Sequence, residues 1–492
     1  MLTLATLTVF LALCLPYVYY ISKARTRKRL PLPPGPRPWP IFGNIFDVPA
    51  DKPWVTYRAW SEKYGKPRHY VFLGDVLIYA SILDLMEGRS KLYADRRWMV
   101  MDELLGWKWN LGLMPYGTEW RIKRRAFHQH FNQQAVKQYH SIQTRETRRF
   151  LKRAATMCSG DNTLDRDIVS QTYAATILNI IYGMRIQDFS DEFISLSRRA
   201  VESVNNSRMP GRFWVEYFPW LRYLPSWVPV SSARKFADEY KYFVDASHNK
   251  AFDALRDDFD NIAAAPSIAQ KFIRNLSNRP QDPQHCKQDE QVARDVTGVA
   301  YGAAVDTQFA ATSYFLLAMM SYPDVQQRAQ EELDTVVGAG RLPTMEDIDS
   351  LPFIQAILLE VLRWLPILPL GIAHSVLEDD EYKGYRIPAG TVIVANTWAM
   401  LQDPVEYRNP EVFNPDRFLR DGALNPDVRS PVAAFGYGRR QDCSICPGRH
   451  LANDALSLMI ASILYVFNVE PNEDVSQETT TGFFSYAFVL RM

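Results

Sequence analysis

Residues 290–321, EQVARDVTGVAYGAAVDTQFAATSYFLLAMMS, run without a proline and stop just before Pro323. The segment reads as a long, largely buried helix, and such a helix needs other elements packed around it. A chain of 492 residues is long enough to supply them. Residues 352–364 read as a second helix, and a third runs from Pro447 to about Phe467, with proline at the first position, where its missing N–H costs nothing. Strand signals are sparser: VFLGDVLIYAS at 71–81 and YRIPAGTVIVAN at 385–396 alternate β-branched residues between Gly and Pro. The expected fold class is mainly α with small β-sheets. Length alone favours two or three domains. From about residue 50 onward, however, there is no internal repeat or low-complexity tract, and the breaks near 158–162, 278–289 and 338–344 read as short polar loops. Residues 50–492 are therefore expected to form a single large domain.

The N-terminus differs from this body. Residues 2–21 carry no charge and are about as long as a helix needs to cross a bilayer. The next seven residues, KARTRKR, hold five cations, which places the rest of the chain on the cytoplasmic side. A cleaved signal peptide would carry its positive charge before the apolar run, whereas nothing basic precedes Ser22. Residues 1–22 thus read as a retained transmembrane anchor, with the endoplasmic reticulum as the default lipid membrane. Residues 23–49 read as a hinge, whose six prolines in PLPPGPRPWP make a stiff spacer. The 56 Lys and Arg nearly balance the 55 Asp and Glu, so no strong global field points to nucleic acid. Five mostly scattered cysteines do not form a disulfide framework and fit a reducing compartment.

Chemistry concentrates in FGYGRRQDCSICPGRHLA, residues 435–452. Cys446 lies at the expected helix start, where free backbone N–H groups favour its thiolate, and a thiolate can bind a metal. A lone cysteine is more commonly buried and inert. Cys443 and Cys446 also form a CxxC pair, readable as a redox pair or half a zinc site, but no second CxxC occurs.

Phe435, Gly436, Gly438, Arg440, Cys446, Pro447 and Gly448 resemble the haem-binding loop of cytochrome P-450 monooxygenases. AAVDTQ at 303–308 resembles that family's oxygen-activation sequence, Glu360 and Arg363 its Glu-x-x-Arg helix, and FNPDRF at 413–418 the meander that follows. Order and spacing match along essentially the whole chain, and YGTEWRIKRR and AAFGYGRR are closest to fungal microsomal members. The resemblance implies the cytochrome P-450 fold behind the transmembrane helix, with heme b held through Cys446, whose thiolate favours O–O cleavage. It implies that Trp120, Arg124, His374 and Arg440 bind the haem propionates, a use of charge-assisted hydrogen bonds. Taken alone, Trp120 and Arg124 would be ordinary packing and a surface charge. Gly302, Ala303 and Ala304 are small enough for the helix to approach the haem face. Asp306 is implied as proton relay and Thr307 as hydrogen-bond partner of dioxygen. The plain reading of Thr307 is a hydroxyl bonded back to its own helix. Glu360, Arg363 and Arg417 are implied to form a buried ionic network, although a lone i,i+3 Glu–Arg pair is usually a weak surface bridge.

Several positions depart from the family pattern. Ala304 stands where the family usually has Gly, and Gln308 where it has Thr or Ser. Five residues, QDCSI, separate Arg440 from Cys446 where one is usual, a four-residue insertion. Only Cys446 is followed by Pro-Gly and a helix, which favours it over Cys443 as ligand, and a c-type attachment would need His at 447. By analogy the substrate cavity is lined by 99–114, Phe213, Trp214, Tyr301, 367–372, Phe483 and Phe484. The implied reaction is oxidation of a hydrophobic small molecule, such as a terpenoid or aromatic polyketide of fungal secondary metabolism. It uses O2 and electrons from an NADPH-cytochrome P-450 reductase. Arg121, Lys123, Arg125 and Arg439 read as a cationic face for that partner. The alternatives are a haem-thiolate isomerase or peroxygenase, and a haem binder impaired by the loop insertion.

Overall fold

The computed structural model describes residues 30–39, 44, 47–49, 51–64, 68–72, 75–79, 83–158, 166–186, 192–208, 211–228, 231–257, 267–277, 283–437, 445–471 and 488–491. The apolar run 2–21, the basic run 23–29, Arg439, Arg440, the segment 441–444 with Cys443, and Phe483 and Phe484 lie outside the described residues. No helix among the described residues is long and apolar enough to cross a membrane.

The proline-free run becomes a helix spanning Pro283–Ser321, about 58 Å long at 1.5 Å per residue. It starts about two turns before the expected position. Pro283 suits the first helical position, and the polar turns that follow face solvent, where apolar periodicity gives no sign of a helix. The expected loop at 278–289 is therefore helical from Pro283 onward. Pro323 ends the long helix and opens the next, Pro323–Val336.

The core is assembled around this axis. Phe315, Leu316 and Met319 pack with Ile354, Ile357 and Val361 of the Pro352–Trp364 helix and with Leu456, Ile460 and Ile463 of the Arg449–Val466 helix. Nearer its start, Val296, Ala300 and Tyr301 join Ala174, Leu178 and Ile181 of the Arg166–Tyr182 helix. Burial of each such side chain contributes roughly 1.5–3 kcal/mol against chain entropy.

The sheets are small and lie beside this helical body. Run 71–81 folds into a hairpin, with Arg68–Phe72 antiparallel to Asp75–Tyr79. Run 385–396 is also split. Tyr385–Ile387 pairs with Asp380–Tyr382, while Val392–Ile393 lies parallel to Asp75–Tyr79 and antiparallel to His374–Ser375. Pro388 offers no N–H to a ladder, and Gly390 turns with φ +76°, so one continuous strand cannot form there.

A buried ionic network braces the region before the cysteine loop. Glu360 and Arg363 are fully buried, and Arg363 Nε and Nη2 donate to the Glu360 carboxylate at 2.7 and 2.8 Å. Arg417 Nε donates to the same carboxylate at 3.1 Å, as does the Asn414 N–H at 2.8 Å. The remaining guanidinium donors reach the carbonyls of Leu401, Arg408 and Val412. Arg417 thus completes the network that the resemblance implied, and its donors reach the carbonyls of Arg408, Asn409 and Val412.

Candidate haem-thiolate site

Cys446 sits between a short 3-10 helix, Val432–Phe435, and the Arg449–Val466 helix. Its own N–H donates to the Phe435 carbonyl at 2.7 Å, closing the loop across the segment 436–445. Gly436, at φ +99°, makes the turn out of the 3-10 helix, a conformation that favours glycine. The helix begins at Arg449 with Gly448 as its N-cap, two residues after the expected start at Pro447, which lies in the preceding turn.

Cys446 is solvent-accessible although helices pack around it. Burial pushes its thiol above the ordinary value, opposed by the N–H groups of Gly448 and Arg449 and by the Arg124 and Arg449 guanidinium groups. The helix-start amides act in the expected direction, but desolvation outweighs them in the metal-free protein. A bound cation would reverse that balance, because metal ligation displaces the thiol proton.

The long helix has a matching open face. Val305 and Gln308 are buried, whereas Ala303 and Asp306 are exposed, in the middle of the long helix. A Cβ added to Gly302 would meet nothing within 4 Å. Thr307 Oγ1 donates to the carbonyls of Ala303, at 2.9 Å, and Ala304, at 3.3 Å. The hydroxyl proton is thereby used inside the helix, leaving its lone pairs to accept. Burial raises the Asp306 carboxyl above the ordinary range, with the Arg198 charge opposing. Gln308 turns into the packing, and its Oε1 has no hydrogen-bond partner among the described residues.

Trp120 and Arg124 lie on one face of the Thr118–Phe131 helix, with the guanidinium 6.0 Å from the indole ring centre. Arg124 Nη2 donates to the Ile445 carbonyl at 2.7 Å, one residue before Cys446. The structure therefore brings Arg124 to the cysteine loop, as expected of a site residue. Lys123 does not join Arg121 and Arg125 on a cationic surface. It is buried and ion-paired with Asp295 at 2.7 Å, because its side chain points from the helix into the core. This buried pair was not foreseen, since its partners are far apart in sequence and nothing periodic marks them.

His374 is buried at the edge of the four-stranded sheet, its Nδ1 3.0 Å from the Tyr93 carbonyl. Burial and the Arg96 charge hold its pKa well below the ordinary value, so the ring is neutral and Nδ1–H donates to Tyr93. Arg96, which sequence reasoning missed, donates to the carbonyls of Ile372 and Ala373 and so fixes the strand that bears His374. It borders an open polar cleft with Asp95, Arg97, Trp98 and Ser375. Two expected cavity residues are buried. Tyr301 is buried with its hydroxyl donating to the Phe193 carbonyl, and Phe213 packs into the core with Met101, Leu105 and Trp107.

An accessible sulfur cradled by backbone N–H groups, cationic donors at its loop and a small-residue helix face beside open space together fit a haem-thiolate site. The cytochrome P450 family model matches residues 33–491. Cytochrome P450 monooxygenase COX2 of Coprinopsis cinerea is 37% identical over 465 residues, covering 93% of this chain and 86% of its own. Tryptamine 4-monooxygenase of Psilocybe cyanescens is 35% identical, covering 98% and 96%, and cytochrome P450 monooxygenase claR of Ampulloclitocybe clavipes is 34% identical, covering 92% and 83%. The chain belongs to the cytochrome P450 family, whose members hold haem iron through a cysteine thiolate.

Proposed function

We propose that Cys446 is the axial ligand of heme b and that the protein is a membrane-anchored monooxygenase of fungal secondary metabolism. The observation that carries this reading is the accessible Cys446 thiol, held by the N–H groups of Gly448 and Arg449 in a chain whose long helix leaves its 302–306 face open. Haem, when bound, supplies dioxygen activation, and the thiolate promotes O–O cleavage. One oxygen atom enters the substrate and the other leaves as water, with two electrons from NADPH through a flavoprotein reductase and two protons.

The chain's own residues have definable tasks. Arg124, Trp120 and Arg440 offer charge-assisted or N–H hydrogen bonds to the propionates. His374 offers Nε2, which gains a proton as a carboxylate approaches, because an anion favours the charged ring. Asp306, whose carboxyl is held toward its protonated form, donates a proton on the open helix face, and Thr307 Oγ1 accepts a hydrogen bond from the water that carries it. The small residues Gly302, Ala303 and Ala304 on the open helix face suit a hydrophobic substrate, for which a terpenoid or aromatic polyketide is the proposed class. The apolar run 2–21 with its basic flank supports a single-pass anchor in the endoplasmic reticulum membrane, with the catalytic domain cytoplasmic.

Reconstitution with a fungal NADPH-cytochrome P-450 reductase tests the reading. Screening hydrophobic terpenoids and aromatic polyketides is expected to find one oxidised only when NADPH, reductase and O2 are all present. Turnover of such a compound without reductase, either unaided or with peroxide alone, would instead assign an isomerase or peroxygenase. Full haem occupancy and reduction without any turnover would assign an impaired haem binder.

A further inference from the structure

The Thr118–Phe131 helix is held on two sides by consecutive residues. Arg124 reaches the Ile445 carbonyl beside Cys446 at 2.7 Å. Lys123 points into the core, only 2% exposed, and meets Asp295 of the long helix at 2.7 Å and Glu119 at 2.5 Å. Asp295 is further engaged by His248 Nε2 at 2.8 Å and by Gln291 Nε2 at 2.7 Å. Burial alone would raise its carboxyl, but the His248 and Lys123 contacts hold it below the ordinary range. The His248 ring stacks on Trp109, with ring centres 4.0 Å apart and planes within 7°. Gly298, one turn along the long helix, leaves room for that stack, since a Cβ there would come within 3.0 Å of His248 and 3.1 Å of Trp109. A buried ion pair adds little net stability, because desolvation offsets its attraction, whereas its geometry is closely defined.

We propose that Lys123 and Asp295 are positioning residues that set the spacing between the long helix and the Arg124–Ile445 contact, and so the width of the haem slot. The long helix carries the open 302–306 face eleven residues or fewer beyond Asp295, and Arg124 carries the contact to the cysteine loop. With Lys123 and Arg124 adjacent, any shift of Lys123 moves Arg124. The inference rests on the haem reading of the site.

The test compares haem transfer from the holoprotein to excess apomyoglobin with thermal unfolding midpoints, for Arg124→Ala, Lys123→Met, and the double variant Lys123→Met with Asp295→Asn. Arg124→Ala and Lys123→Met are each expected to release haem about tenfold faster, the scale of losing a supporting contact around a metal group. Lys123→Met also lowers the midpoint, because Asp295 loses its cation. Removing both charges is expected to return the midpoint toward wild type while haem release stays fast. Recovery of haem retention together with the midpoint would overturn the proposal and make the pair a purely structural one. The pair Lys123→Gln with Asp295→Asn, neutral but hydrogen-bonding, is a second double variant judged by the same criterion should the first fail to fold. An unchanged haem release rate in Arg124→Ala would count against the haem reading itself, independently of Lys123.

Discussion

Asp306, the proposed proton relay, also bears on stability. Burial raises its carboxyl above the ordinary value, so over a window of pH above the ordinary Asp value the folded protein holds a proton that the unfolded chain has lost. The state that binds more protons gains stability as pH falls, so this contribution grows on acidification from the folded-state value down to the ordinary Asp value of about 3.9. Asp306→Asn should remove it: urea unfolding of the apoprotein should show a smaller gain, or a larger loss, on acidification than wild type. Identical pH profiles for variant and wild type would mean that Asp306 does not sit on a desolvated face. The same shift toward the protonated form favours a donor beside Thr307, whose own hydroxyl is committed to Ala303. Its back-bonding is the plain helix reading; its lone pairs stay free to accept from a water, whereas donation to dioxygen, as the resemblance implied, would need the proton turned away from the Ala303 carbonyl.

Among the elements, legibility followed burial. The Pro352–Trp364 helix was readable to the residue, because proline opens it and its apolar positions face one core. The first two turns of the long helix were not, because residues 284–289 are polar and mostly exposed. The two strand runs were visible as β-branched stretches, but their division was set by Pro388, Gly390 and pairing partners remote in sequence. The cysteine loop and Glu360–Arg363 were legible through local motifs. Lys123–Asp295–His248 was not, since a charge read without its partners looks like a solvated one. The Glu360 network belongs to this scale, because it joins the Pro352–Trp364 helix to the segment 401–417. Glu360→Gln leaves two buried guanidinium groups without their anion, which should cost about 3–5 kcal/mol in denaturant unfolding. A loss under about 1 kcal/mol, typical of a surface pair, would contradict the network's role.

For the whole molecule, charge is nearly balanced and the core is largely helical, while the apolar run 2–21 differs in character from the rest of the chain. Residues 219–227 add exposed Trp220, Tyr223 and Trp227, amphipathic rings of the kind that favour a membrane interface. Deletion of residues 1–22 is expected to release the protein from alkaline-carbonate-resistant membranes while leaving part of it peripherally bound. Retention in the carbonate-resistant fraction after deletion would rule out that run as the only anchor. The central claim, that the sulfur of Cys446 holds iron, is tested most directly by the carbon-monoxide difference spectrum of the reduced protein. Cys446→Ala should abolish the thiolate-type Soret band and Cys443→Ala should leave it intact. A band that survives Cys446→Ala, or that disappears with Cys443→Ala alone, would contradict the account.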